Sequence, residues 1–332
     1  MTTRRAFVAG AGALAGWGFV HGGRARAGGL PDTLAADLAR IELESGGRLG
    51  VAVLDTGSGV KIEHHGDERF PMCSTFKLVA AAAVLKRVDQ GQERLDRRIA
   101  FAAGDIVVNS PVTKARVGGS GMTLAEICEA AMTMSDNTAG NLILAALGGP
   151  VGFTAYVRSL GDSVTRLDRI EPELNAALPG DPRDTTTPLA MLGNLQKLVL
   201  GDTLSGASKE QLTKWLLGNK TGDTRLRAQL PAGWRTGDKT GAGDRGTNND
   251  VGVLWPPDGE PIVVAAYLTG TTAPVERRNA TLAAVGRAVA AGGPKRGALK
   301  RDDFSSNRHP ALASYLSMIL SENRFTLFGI MR

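Results

Sequence analysis

Apolar and polar positions alternate with two different periods along this chain, and the two periods occupy different stretches. Pro31–Glu44 places Leu34, Leu38 and Ile41 at helical spacing, which predicts an amphipathic helix. Leu49–Asp55 is Val-rich and predicts a strand. Thr56-Gly57-Ser58-Gly59 predicts a turn, and Val60–His64 predicts the returning strand. Far along the chain, Asp250–Trp255 and Ile262–Leu268 read as strands joined by Pro256-Pro257-Asp258-Gly259, and a last helix covers about 275–291. Between these ends the pattern is helical, at 75–88, 123–134, 137–147, 151–160, 188–200 and 207–217, with few strand signals. Thr123-Leu124-Ala125-Glu126 fits a capping box at one helix start.

The predicted fold class is therefore α/β and two-lobed. An antiparallel β-sheet flanked by helices is assembled from both chain ends, 28–65 and 218–293. An all-α lobe, 66–217, is inserted between them. No internal repeat is evident.

Composition changes this picture little. The chain has 332 residues, 42% hydrophobic and 22% charged, the balance of an ordinary globular protein. That excludes a wholly disordered chain, a collagen-like chain and a disulfide scaffold. No apolar run reaches about 18 uncharged residues, the length that marks a spanning helix. The net charge of +6 resides at the two ends. Arg4, Arg5, Arg24 and Arg26 precede residue 28 with no acid among them, and the stretch after Gly293 is also basic. The body between is slightly acidic and has no reason to seek phosphate, so nucleic acid is not an expected partner.

Both ends carry signals of their own. Arg4-Arg5-Ala6-Phe7, an apolar stretch Val8–Val20 and the small-residue pattern Ala25-Arg26-Ala27 predict a signal peptide over 1–27. The paired arginines resemble a twin-arginine export signal, and an ordinary secretory signal is the alternative. Cleavage near Ala27 predicts a periplasmic or secreted protein. Gly292-Gly293-Pro294 predicts a stop. Residues 294–332, basic and then apolar, are expected to be weakly ordered. They read equally as a tail helix, a membrane-surface segment or sequence beyond an original gene end.

The candidate chemistry begins at the helix over 75–88. Leu78–Leu85 is apolar on every side, which predicts a helix buried all round. Ser74 and Lys77 share the face of its first turn. Ser74 there is either an N-cap or a nucleophile assisted by Lys77, with backbone N–H groups nearby for an oxyanion. Ser135-Asp136-Asn137 lies between two helices and reads as a cap or as part of a site. Lys239-Thr240-Gly241 reads as a surface loop or as part of a site.

A base for a serine nucleophile is hard to find among the histidines. His21 lies in the signal and His309 in the tail. His64 and His65 sit together in the first hairpin, where solvated positions are expected. A Ser-His-Asp triad is therefore disfavoured, and the base must be a lysine or a carboxylate. A metal-dependent hydrolase is disfavoured by the same scarcity of His and Cys.

Taken together, these three triplets in this order resemble the class A serine β-lactamases. The resemblance spans roughly 30–293. It includes Phe70-Pro71-Met72-Cys73-Ser74-Thr75-Phe76-Lys77, Ser110-Pro111-Val112-Thr113 and Gly121-Met122-Thr123. It also includes an Ω-loop-like Arg169-Ile170-Glu171-Pro172-Glu173-Leu174-Asn175 closed by Asp184-Thr185-Thr186-Thr187-Pro188.

The resemblance implies a β-lactamase/transpeptidase-like fold and hydrolysis of penicillin- or cephalosporin-type antibiotics through an acyl-enzyme on Ser74. Lys77 or Glu171 would be the base for acylation, and Glu171 with Asn175 would drive a water into the ester. Ser135 would protonate the leaving nitrogen. Lys239 and Thr240 would hold the substrate carboxylate, and the Ala242 N–H, beside Gly241, would complete the oxyanion hole. Asn137 would bridge the lobes. Glu171-Pro172 would be cis, and Arg169 would pair with Asp184. No cofactor and no metal are implied, and a monomer without stable membrane association is expected.

The chain also departs from the family's pattern. Asn248 stands where many members have a substrate-binding arginine, for which Arg225 looks like the substitute. Asn109 stands at a rim position often aromatic. Ala81 opposite Cys128, and Gly243 opposite Cys73, leave no partner for either thiol. The alternatives are a D,D-peptidase-type penicillin-binding protein and a non-hydrolysing β-lactam sensor.

Overall fold

The computed structural model describes residues 30–292. The predicted signal peptide and tail lie outside the described residues. Eight helices are described: α1 (Leu30–Ser45), α2 (Phe76–Asp89), α3 (Leu124–Thr133), α4 (Asn137–Leu147), α5 (Gly149–Ser159), α6 (Pro188–Leu195), α7 (Gly206–Leu217) and α8 (Val275–Gly292). Five strands, β1 (Arg48–Asp55), β2 (Lys61–His64), β3 (Arg235–Ala242), β4 (Asn248–Trp255) and β5 (Ile262–Thr269), form one antiparallel sheet in the order β2-β1-β5-β4-β3. The chain ends supply the sheet, and helices α2 to α7 lie between β2 and β3 in sequence, as the pattern predicts.

Alternation along the strands divides the core in two. Leu49, Val51, Val53, Val264, Ala266 and Leu268 pack with α1 and α8 on one face. Ala52, Leu54, Val251, Val263, Ala265 and Tyr267 point the other way, into the larger core that the inserted helices share. α6 packs on that second face against β1 and β5. α2 is buried from Phe76 through Leu85, as a helix apolar on every side requires. The predicted capping box is formed: Thr123 Oγ1 accepts from Glu126 N at 3.2 Å, and Glu126 Oε2 accepts from Thr123 N at 2.8 Å.

Three differences from the sequence pattern matter. The strand β3 was not predicted; Lys239-Thr240-Gly241 belongs to it rather than to a loop. The helix expected over 188–200 changes to a π-helical turn at Gln196–Leu200 before Gly201 ends it. His64 and His65 are not free solvated positions: both contact Glu42 on α1. Among the described residues, no single helix is long and apolar enough to cross a membrane.

Candidate active site

Ser74 lies in a short 3₁₀ turn, Cys73–Thr75, that leads directly into α2. Cys73 adopts a left-handed backbone, φ 46°, which turns the chain sharply before Ser74. Ser74 has no capping bond of its own, so the capping reading fails there. Two short ladder residues, Phe70–Pro71, pair with Thr185–Thr186, and Met72 N donates to Asp184 O at 2.9 Å. The segment carrying Ser74 is thus tied to the closing end of the Ω-loop-like segment.

Lys77 follows one helical turn later, fully buried. Its Nζ donates to Ser74 Oγ at 2.8 Å, Ser135 O at 2.8 Å and Asn137 Oδ1 at 2.7 Å. Glu171 Oε1 lies 2.9 Å from the same Nζ and accepts from Ser74 Oγ at 3.0 Å. Both candidate bases therefore touch the nucleophile. α4 approaches closely because residue 140 is glycine: a Cβ there would lie 2.7 Å from Lys77 Cε. Burial pushes the Lys77 ammonium below the usual lysine range, and the charge of Glu171 opposes that shift.

Glu171 is held from several sides. Asn175 Nδ2 donates to Oε2 at 2.5 Å. Asn141, on α4, clamps the backbone: its Nδ2 donates to Glu171 O at 2.8 Å and its Oδ1 accepts from Glu171 N at 2.8 Å. The Glu171-Pro172 peptide is cis. Arg169 Nε donates to Asp184 Oδ2 at 2.6 Å, closing the loop's neck as expected. Asn175 Oδ1 is buried and has no hydrogen-bond partner among the described residues. A buried acceptor is suited to accepting a hydrogen bond from a reacting water, which orients it beside Glu171.

Across the cleft, Lys239 on β3 is fully buried. Its Nζ donates to Ser135 Oγ at 3.0 Å and Thr240 O at 2.9 Å. Burial first, then the like charges of Lys77 and Arg225, hold its pKa well below the ordinary lysine value. Thr240 Oγ1 shares a 2.5 Å hydrogen bond with Thr221 Oγ1. Beside them, Asp250 pairs with Thr240 across β3 and β4. Burial and the neighbouring Asp238 raise its carboxyl well above the usual range, with Arg225 opposing.

Arg225 reaches the same cleft. Its Nη1 donates to Gly241 O at 2.8 Å and Asn249 O at 2.7 Å, and its Nε to Asn279 Oδ1 at 3.2 Å. Nη2 has no protein partner among the described residues and remains available to an anion. Asn248, the position it was expected to replace, donates to the same Asn279 Oδ1 at 2.9 Å.

Ser74, Ser135, Asn137, Asn175, Thr240, Gly241, Ala242 and Arg225 line one cleft of about 740 Å³, with Asn109 at its wall. Lys77, Glu171 and Lys239 lie beneath them, buried. One expected role differs: among the described residues Asn137 makes no side-chain hydrogen bond to the other lobe. Its Oδ1 is taken by Lys77, and the cross-lobe bond runs from Lys239 to Ser135.

Asp136, between those two residues, is the cap. It accepts from Ala139 N at 2.9 Å, and from Val112 N and Thr113 N at 2.9 Å. The capping reading of that triplet holds for Asp136, while Ser135 and Asn137 line the cleft. Asn141, Thr221 and Asn279 were not foreseen. Asn141 sits one turn after Asn137, and that spacing was the available signal. Thr221 and Asn279 have none, because their partners are far away in sequence.

A family model described as "Beta-lactamase enzyme family" matches residues 33–291. The chain belongs to the class A serine β-lactamases. Beta-lactamase OXY-2 of Klebsiella oxytoca is 50% identical over 261 residues, 79% of this chain and 90% of that protein. Beta-lactamase AST-1 of Nocardia asteroides is 51% identical over 251 residues, covering 76% and 81% respectively. The solved structure of an ancestral (GNCA) class A β-lactamase is 63% identical with TM-score 0.77, covering 78% of this chain and 99% of that one. As a class A β-lactamase the chain is a β-lactam-hydrolysing enzyme, and the two-lobed architecture is that of the family. Both cysteines are free and buried, and a Cβ at Gly243 would lie 2.6 Å from Cys73 Sγ, so Cys73 faces a residue that cannot bond to it.

Proposed function

We propose that hydrolysis runs through an ester on Ser74 and that Glu171 with Asn175 drives its breakdown by water. In acylation, Ser74 Oγ attacks the lactam carbonyl carbon and gives its proton to the Lys77–Glu171 pair, which touches it at 2.8 and 3.0 Å. The C–N bond then breaks, and the nitrogen takes a proton from Ser135, which Lys239 and the Lys77 side of the cleft resupply. Backbone N–H groups of Ser74 and Ala242 receive the oxyanion. The substrate carboxylate meets Thr240 and the open Nη2 of Arg225. In deacylation, Glu171 takes a proton from water, the hydroxyl attacks the ester carbon, and Ser74 leaves with a proton.

The observation that carries this reading is the buried Glu171 carboxylate, which accepts from Ser74 Oγ at 3.0 Å through one oxygen and from Asn175 Nδ2 through the other. A D,D-peptidase or a sensor has no use for a water-gripping pair at that place. Such hydrolysis underlies resistance to the antibiotic. Export through a leader ending near Ala27, and work outside the cytoplasm as a monomer, belong to the same proposal. The export reading is supported by the sequence of residues 1–27.

The test is turnover of a penicillin by the purified protein, followed past one equivalent. Continued hydrolysis, lost in Ser74→Ala, is expected. A burst that stops at one equivalent would favour the peptidase or the sensor.

A further inference from the structure

The second cluster of ionisable groups lies far from the cleft. β2 and β3 are opposite edges of the sheet, four strand spacings or about 19 Å apart. At the β2 edge, His64 Nε2 lies 2.6 Å from Glu42 Oε2, and His65 Nε2 lies 3.1 Å from the same oxygen. Adjacent residues of a strand ordinarily point to opposite faces. Here they converge because β2 ends at His64 and His65 takes a left-handed backbone, φ 48°. The two rings meet edge to face at 4.4 Å.

Both ends of this arrangement are held from behind. Glu42 Oε1 accepts from Leu49 N at 3.0 Å, which fixes the carboxylate and leaves Oε2 for the imidazoles. Glu68 Oε1 lies 2.8 Å from His65 Nδ1. A neutral imidazole has one N–H. If Nδ1–H donates to Glu68, the lone pair on Nε2 faces the Glu42 oxygen, acceptor against acceptor. A second proton or a metal ion removes that conflict. The carboxylate–imidazole–metal relay is the usual way a ligand histidine is oriented.

The Nε2–Oε2 separations of 2.6 and 3.1 Å are hydrogen-bond lengths, and opening them by about 0.7 and 0.2 Å brings the same atoms to metal-ligand spacing. With bonds of about 2.0–2.1 Å, tetrahedral ligands lie about 3.3 Å apart. The three ligand atoms of Glu42, His64 and His65 all lie within 4.8 Å of one another. His65 is solvent-exposed, which leaves an entry path and a fourth position for water. Two imidazoles and one carboxylate suit a borderline divalent ion such as Zn²⁺.

We propose that Glu42, His64 and His65 bind one divalent transition-metal ion and that Glu68 orients His65 for it. The ion pins α1 to the edge strand β2. It takes no part in lactam hydrolysis, being on the opposite edge of the sheet.

The experiment is calorimetric titration of the tag-free full-length chain with Zn²⁺, with penicillin turnover as the check on folding. One ion per chain is expected, with a rise in Tm of about 5 °C at a hundredfold excess over Kd. Saturable binding should vanish in His64→Gln/His65→Gln and persist in His21→Gln/His309→Gln, with turnover unchanged in both. Glu68→Gln should weaken binding by about 10–100-fold while leaving one ion per chain. His65→Gln alone serves if the double variant does not turn over. Absence of saturable binding, or binding that survives His64→Gln/His65→Gln, overturns the proposal and leaves a cluster neutralised by protons alone.

Discussion

Strands β5 and β3 belong to one sheet, and both are buried, by opposite means. β5, Ile262–Thr269, is buried at every position, and its apolar side chains from Ile262 to Leu268 feed the two cores alternately. β3, Arg235–Ala242, buries Asp238, Lys239 and Thr240 and no large apolar residue. Its polar groups are satisfied one by one: Asp238 by Asn219 and Arg227, Lys239 by Ser135 and Thr240 O, Thr240 by Thr221. β5 stabilises the fold through transfer of apolar area from water. β3 is held in place by its neighbours and holds charge where the reaction needs it. A residue on β5 is therefore replaceable by another of its size, and a residue on β3 by nothing that lacks its donors.

The largest effect should come from removing charge on β3. Lys239→Met is expected to lower kcat/KM by about 10³-fold, roughly 4 kcal/mol of transition-state stabilisation. Steady-state kinetics with a penicillin checks this. The same variant should not lose stability in denaturant unfolding, because it removes a buried cation that faces Lys77 and Arg225. Loss of stability without loss of rate would dissolve the contrast.

Arg169→Ala comes next. It leaves Asp184, almost wholly buried, with only backbone N–H donors, and should cost about 3 kcal/mol with slowed deacylation. Val264→Ala on β5 should cost about 2 kcal/mol in unfolding free energy, with kcat/KM nearly unchanged.

The smallest effect is in pH dependence, and its sign separates rate from stability. The Lys239 pKa is lowered in the fold, so between that value and 10.5 the unfolded chain binds the proton and the native chain does not. Stability from this group therefore rises as pH rises through that window. Activity falls over the same window, because the charge beside Ser135 is lost. Lys239→Arg should move the alkaline limb of kcat/KM to higher pH, read from a pH–rate profile.

The same contrast explains what the sequence made legible. β1, β4 and β5 were readable because each face of a two-sided sheet needs apolar residues at fixed period. α2 was readable because ten consecutive buried positions admit little else. β3 was not, because Gly237, Asp238, Lys239 and Gly241 are poor strand formers placed there by chemistry, and pairing with β4 overrides their preference. Ser74, Lys77, Glu171 and Lys239 stood out through motifs. The groups that position them did not: Asn141 reaches Glu171 across 30 positions and Thr221 reaches Thr240 across 19. Spacing puts Asn141 on the Asn137 face of α4 but names neither of these distant partners. The pairing of His64 and His65 with Glu42 is illegible for the same reason, since Glu42 lies on another element.

The central claim is that Glu171, gripped by Asn175 and touching Ser74, is what turns a stalled ester into a turnover. Intact-mass spectrometry of Glu171→Gln mixed with one equivalent of a penicillin tests it most directly. The account predicts a covalent adduct on Ser74 that persists for hours, absent in Ser74→Ala and too short-lived to accumulate in the unaltered enzyme. An adduct on Glu171→Gln that clears as fast as in the unaltered enzyme would contradict it.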